Sequence, residues 1–385
     1  MKPLPIRAPH EPRGLRALHG ALLGLLATLL AGCAGTTTGI GYYWQSVSGH
    51  VALMQAARPV EDWLADASTP GNLRRKLETA RGIRAFAVSE LGLPDNASYH
   101  RYADLKRRAA VYNVVAAPEL SLTLQTWCFP VAGCVGYRGY YDETVARDFA
   151  ASLGGGLEVS VYPVPAYSTR GWMNWAGGDP LLNTFIAQPD GELARLIFHE
   201  LAHQVLYVKD DTAFNESFAT AVERIGGARW LATQAGEAAR VEYAAFDARR
   251  QAFRALTRET RQRLKAVYED TALDEQARRA GKARVMEGFR SAYAQLKAGW
   301  GGYAGYDAWV QQANNAAFGA QAAYDEWVPA FEALFEREGR DFPRFYDAVR
   351  ALADLPRAQR HAALRELGRL APGGTTAFLN PSDRR

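Results

Sequence analysis

Outside one stretch near its start, the sequence has no apolar run approaching the roughly 20 residues that a membrane-spanning helix needs. That stretch, Ala17–Leu30, is itself too short for a comfortable span. Basic residues are not gathered into a stripe that could track a nucleic acid, so neither DNA nor RNA is an expected partner. No internal repeat is present, which excludes a solenoid. Cysteine and histidine are scarce, at three and seven in 385 residues. What remains is globular in character: 48% hydrophobic and 22% charged. About 350 residues beyond the start can bury a substantial core, as one large domain or two packed halves.

The start has the layout of an export signal. Lys2, Arg7, Arg13 and Arg16 precede the apolar run, and small residues lead to Cys33. Leu30-Ala31-Gly32-Cys33 is similar to a bacterial lipobox, which implies lipidation of Cys33 after removal of residues 1–32. Ala34, in place of an aspartate, points by analogy to the outer membrane, facing the periplasm. The four basic residues and Glu11 give residues 1–32 a net charge of +3, so the chain's +4 falls to about +1 in the mature protein. Cys128 and Cys134 then remain. In an oxidising periplasm a disulfide closing this short loop is expected; the CxxC spacing of a redox dithiol is absent.

Helical and strand-like patterns alternate along the chain. Leu73, Leu77, Ile83, Ala87 and Leu91 recur at helical spacing over 72–91. Residues 112–141 have a β texture, and Leu157–Tyr162 alternates apolar with polar, followed by Pro163 and Pro165, as an edge strand would. A helix is expected from Gly191 to about Gln204 with Asp190 as its cap. Long helices are expected from Glu237 to Leu296, where Phe246, Phe253, Leu256, Leu264 and Val267 keep helical spacing. The tail 372–385, rich in Gly, Thr and Pro, is expected to be loose. The resulting expectation is a mixed α/β (α+β) fold over 33–371, with a small sheet packed on the 191–204 helix and a mainly helical second half.

His199-Glu200-Leu201-Ala202-His203 spends two of the seven histidines within five residues. On a helix, positions four apart lie about 40° apart around the axis, so both imidazoles can share one metal ion. Glu200 flanks them, where a general base for metal-bound water should stand. A random H-E-x-x-H is expected in about one such chain in a hundred. Two histidines and an acid in a helix rich in Leu, Ile and Phe would be costly without a partner. A catalytic zinc usually has three protein ligands and an open position. The metzincin third histidine is excluded, because Lys209 and Leu206 stand where His and Gly would be. Asp210, Asp211, Glu216 and Glu223 compete for the role. Asp210 and Asp211 fall in the turn after the first helix. Glu216, Thr220 and Glu223 share a roughly 60° arc opposite Phe218, Val222 and Ile225, making Glu216 the expected third ligand to a single Zn2+ per chain. Glu223 is then expected behind it, orienting a histidine or a substrate amine; the alternative is a surface acid paired with Arg224.

Asn215-Glu216-Ser217-Phe218-Ala219 after H-E-L-A-H-Q resembles the ligand helix of the gluzincin metallopeptidases. Gly92–Asn96, Thr126–Pro130 with Gly133-Cys134, Pro165–Thr169, Asp179–Thr184 and Asn314-Asn315-Ala316 resemble a family of bacterial zinc aminopeptidase lipoproteins. The resemblance implies metal-assisted hydrolysis of a peptide substrate, with Glu200 as base and an oxyanion donor elsewhere. With histidine scarce, a tyrosine is expected for that donor: Tyr324, with Tyr167 and Tyr306 as rivals. An aminopeptidase also needs an acid for the substrate ammonium. The Gly-x-Met-Glu-Asn motif that supplies it in one large aminopeptidase family is missing, leaving Glu158, Asp179 and Glu223. An envelope lipoprotein with a non-catalytic structural zinc is the alternative, and Glu200, which such a site would not use, argues against it.

Overall fold

The computed structural model describes residues 39–369 apart from 130–132, 167, 170–173, 175–176 and 322–326. The lipobox cysteine Cys33, the tail from Pro372, and the tyrosines Tyr167 and Tyr324 lie outside the described residues. The chain forms two units, residues 1–52 and 53–385. Helix α1 (Ile40–Ala56) makes up nearly all of the described part of the first.

The second unit is mixed α/β. It begins with β1 (Arg58–Pro59), α2 (Val60–Ala65), α3 (Gly71–Ser89), β2 (Arg101–Ala103), β3 (Val111–Pro118), β4 (Trp127–Phe129), β5 (Gly133–Val135), β6 (Arg138–Tyr140), α4 (Glu143–Ser152), β7 (Leu157–Val164) and β8 (Leu181–Leu182). The remaining described elements are helices: α5 (Asp190–Val205), α6 (Thr212–Thr233), α7 (Glu237–Glu269), α8 (Glu275–Gly299), α9 (Asp307–Gln311), α10 (Asn315–Gln321), α11 (Val328–Arg337), α12 (Phe342–Ala353) and α13 (Arg357–Arg369).

The strands make two three-stranded sheets, β1-β2-β8 and β6-β3-β7, and the β4-β5 hairpin. Strand β7 pairs antiparallel with β3 along its whole length, from Val111 opposite Val164 to Pro118 opposite Leu157. It lies at the sheet edge, where Pro163 interrupts no ladder on its outer side. Cys128 and Cys134 face each other across β4-β5 and are joined by a disulfide.

Helix α5 starts one residue earlier than its pattern suggests. Pro189 occupies the cap, and Asp190, expected there, is the first helical residue, where its charge suits the helix N-terminus and it pairs with Lys76 at 2.6 Å. Leu193, Ile197, Phe198 and Leu201 on this helix are fully buried. At roughly 1.5–3 kcal/mol each, their burial outweighs the cost of holding polar site residues on the same helix. The sequence places the Leu157–Tyr162 sheet against this helix. In the structure α5 packs chiefly on α3, α6 and α7, while α4 and α10 cover β3 and β7. A second apolar core, with Phe253, Leu264, Phe289 and Phe318, holds the α7–α8 pair together.

Candidate metal centre

The site is built on the α5–α6 pair, and the connection between them is short and tied down at several points. The amide of Asn215 (α6) bonds both backbone groups of Val208, with N–O distances of 2.7 and 2.8 Å. Asp211 caps α6 by accepting from the Phe214 N–H at 3.3 Å, and also receives Arg360 and His361 at 2.8 and 2.9 Å. Burial pushes the Asp211 pKa up, but the hydrogen bonds from Arg360 and His361 outweigh it and lower the pKa overall. Asp210 accepts from the Cys134 N–H at 2.8 Å. A Cβ on Gly133, whose φ is +74°, would stand 2.1 Å from that carboxylate, so the positive φ and the close approach both favour glycine at the start of β5. Both aspartates that compete with Glu216 in the sequence therefore hold the turn instead. Further along, Gly227 lets α6 approach α5; a Cβ there would lie 2.6 Å from Arg195 Cγ.

This packing brings His199, His203 and Glu216 together as a group that could hold a metal ion. The two Nε2 atoms are 3.2 Å apart, and Glu216 Oε2 lies 3.4 Å from that of His199 and 3.7 Å from that of His203. Ligands at about 2.0–2.1 Å in a tetrahedral zinc site stand roughly 3.3–3.4 Å from one another. The three donors thus fit one face of such a tetrahedron. Burial opposes positive charge on His199, yet its bonds to Glu216 and Glu223 raise its pKa well above the ordinary value. The same negative field favours a bound cation. Reciprocally, burial acts against the charge of Glu216 but the two histidines keep its carboxyl far below the usual range.

His199 Nδ1 lies 3.0 Å from Glu223 Oε2, which leaves Nε2 as the free donor. Glu223 is therefore no surface acid paired with Arg224. It pairs through its other oxygen with Arg195, which is bonded to Tyr243 at 2.8 Å and lies 3.4 Å from Asp247. Despite burial, Arg195 leads the interactions that hold the Glu223 pKa at about 2. Glu223→Ala should lower metal affinity about 10–100-fold by freeing the His199 ring. It should also cost roughly 3 kcal/mol, the low end for breaking a buried pair, because Asp247 still partners Arg195. Arg195→Met combined with Glu223→Gln removes both charges and should recover stability more than affinity. Urea midpoints beside metal titrations separate the two effects; an unchanged affinity in Glu223→Ala would remove it from the site.

Glu200, half-buried, makes no hydrogen bond through its carboxylate among the described residues. Two tyrosines missed by the sequence reading surround these acids. Tyr99 is held at φ 67°, a strained conformation for a large side chain, by its N–H bond to Asp179 O at 2.7 Å. Its buried hydroxyl has no partner among the described residues, and burial together with the charges of Glu200 and Asp179 pushes its pKa well up. Tyr162, on β7, has a raised pKa from burial, to which Glu216 adds. Gln204 ties this region to α5, accepting from Asn96 Nδ2 at 2.7 Å and donating to Ser98 Oγ at 3.1 Å. Asp179 is 1% exposed, accepts from Thr169 N at 2.9 Å, and is pushed to about 6 by burial. Other sequence candidates lie elsewhere. Tyr306 stacks on Phe253 at 4.0 Å in the second core, and Glu158 is held by Lys282 and the Asn315 N–H. The strained Tyr99 carries no sequence signal; Tyr162 stands in the alternating strand but nothing local marks its neighbours.

No curated protein and no solved structure matches the chain. The model of one protein family does, over residues 41–364, and that family is described as a putative aminopeptidase. The match spans α1, both halves of the second unit and every residue of the His199–Glu223 constellation, so the chain belongs to the putative aminopeptidase family.

Proposed function

We propose that the protein is a zinc-dependent metallopeptidase, an aminopeptidase acting on peptides at the periplasmic side of the envelope. The observation that carries this is the triad His199, His203 and Glu216, with Glu200, whose carboxylate makes no hydrogen bond among the described residues, next to it in the chain. A purely structural zinc closes its fourth position with a protein ligand, and no fourth candidate ligand joins the triad among the described residues. Zinc bound there would supply a Lewis acid that polarises the scissile carbonyl and acidifies a water. Glu200 takes the proton of the attacking water and delivers it to the leaving amine. Glu223 keeps His199 in the tautomer that leaves Nε2 free. For the oxyanion donor, Tyr324 is the choice read from the sequence; among the described tyrosines the alternative is Tyr162, on β7, whose hydroxyl accepts from Asn113 Nδ2 at 3.5 Å. On the outer edge of β7, Asn314 Nδ2 already donates to Val159 O at 2.9 Å and Pro163 offers no N–H, which leaves the backbone of Val161 to pair with an extended peptide. By the lipobox, the chain is anchored through a lipid on Cys33 to the outer membrane.

The aminopeptidase part of this reading rests on the family. Of the three acids proposed to receive a substrate ammonium, Glu158 is paired with Lys282, Glu223 with Arg195, and Asp179 is bonded within its own loop. The test is hydrolysis of matched peptides with free and blocked N-termini by the zinc-loaded protein. Cleavage at least about tenfold faster with a free N-terminus is expected. Equal rates would make it an endopeptidase, and no hydrolysis of either class would remove the peptidase reading.

A further inference from the structure

We propose that one face of α1 rests on the surface of a lipid bilayer. This inference builds on the reading of Cys33 as a lipid anchor.

The described residues have six exposed large hydrophobic side chains, and four of them sit on this one helix: Tyr43 at 46%, Trp44 at 71%, Val47 at 58% and Val51 at 44% exposure. At roughly 100° per residue the four fall within an arc of about 100°. They therefore form a continuous apolar face rather than scattered exposed side chains, and a cluster of this kind marks an interaction surface. The helix sequence Ile40–Ala56 contains no Asp, Glu, Lys or Arg. Exposed polar residues, Ser48 and Gln55, flank the apolar arc without placing a full charge beside it. Its two aromatic residues are the types that favour the boundary between headgroups and acyl chains.

The covalent neighbourhood selects the occupant. Ten chain steps lead from Cys33 to Tyr43, a reach of at most about 35 Å when extended. A lipid on Cys33 would hold the face that close to a bilayer, at an effective concentration in the millimolar range. Even weak insertion is then occupied most of the time. No described helix is long and apolar enough to cross a membrane, so α1 would lie on the surface and not span it. Because the helix has no Lys or Arg, its binding should depend neither on anionic lipid nor on ionic strength, in contrast to a basic amphipathic helix.

The test uses the mature chain from residue 33 with Cys33→Ser, so that no lipid contributes. It is sedimented with vesicles of phosphatidylcholine alone, and of phosphatidylethanolamine with phosphatidylglycerol. Binding to both is expected, unchanged at about 0.5 M salt. Adding Trp44→Glu and Val47→Glu should lower the partition coefficient about tenfold or more. Val145→Glu with Val241→Glu, the two exposed apolar residues elsewhere, should leave it unchanged. Both helix positions are mostly solvent-exposed, and an unchanged far-ultraviolet circular dichroism spectrum shows that the variant is folded. Absent vesicle binding, binding abolished by salt, or binding that ignores the helix variant would overturn the proposal. So would a dimer in ultracentrifugation that Trp44→Glu and Val47→Glu dissociate, because the face would then cover a second copy. Fatty-acid labelling of the full wild-type chain reads the anchor separately. A labelled chain whose Cys33→Ser form ignores vesicles keeps the anchor and loses the face; vesicle binding without label keeps the face and loses the anchor.

Discussion

Glu200→Gln is expected to lower peptide hydrolysis by roughly 10²–10⁴-fold while the metal stays bound. The substitution keeps the length and shape of the side chain and removes only its ability to accept a proton. Nothing else in the site depends on that carboxylate: among the described residues it makes no hydrogen bond, and the His199–His203–Glu216 triad does not include it. The loss should therefore appear in kcat more than in KM, since the proton is moved only on the way to the transition state. Metal content by atomic emission, measured on the same samples, guards against a trivial explanation through lost zinc. Hydrolysis at the parent rate would end the catalytic reading and return the site to a structural or binding role.

Glu216→Ala should fail differently, through the metal itself. Glu216 brings a carboxylate oxygen to 3.4 and 3.7 Å from the two Nε2 atoms. Without it, two histidines 3.2 Å apart remain to hold a doubly charged ion. Zinc per chain should drop well below one, and activity with it. Stability should fall as well, because binding at a concentration of 100–1,000 times Kd contributes about 3–4 kcal/mol to the folded state. The comparison that isolates this term is the wild type in chelator, whose melting temperature should drop towards that of the variant. If Glu216→Ala keeps its zinc while Glu223→Ala loses it, the two glutamates have exchanged roles.

Much of the site was legible because its pattern is local. The shared face of His199 and His203 follows from the turn of one helix, and so does the common arc of Glu216 and Glu223. The buried stripe of α5, the edge position of β7 and the long helices α7 and α8 follow from periodicity and from where proline stands. Asn215 belongs to a readable motif, yet its work, holding both backbone groups of Val208, appears only once the turn is closed. The cap of α5 went one residue astray because Pro189 and Asp190 both suit a helix start. Tyr324 falls outside the described residues.

Other features depended on which elements meet. The pairing of Glu223 with Arg195 joins residues 28 apart in the chain and needs the close approach at Gly227. Tyr99 and Asp179 come near Glu200 from loops whose courses no periodicity records. Asp210 and Asp211 look like spare ligands until the disulfide hairpin and α13 take them up. The sequence by itself determined the H-E-x-x-H spacing, the arc shared by Glu216 and Glu223 and the mixed α/β class, because repeating backbone geometry turns spacing directly into direction. The tertiary structure alone decided what stands behind each ligand, since a contact between distant segments is set by the packing of whole elements and leaves no periodic trace in the chain.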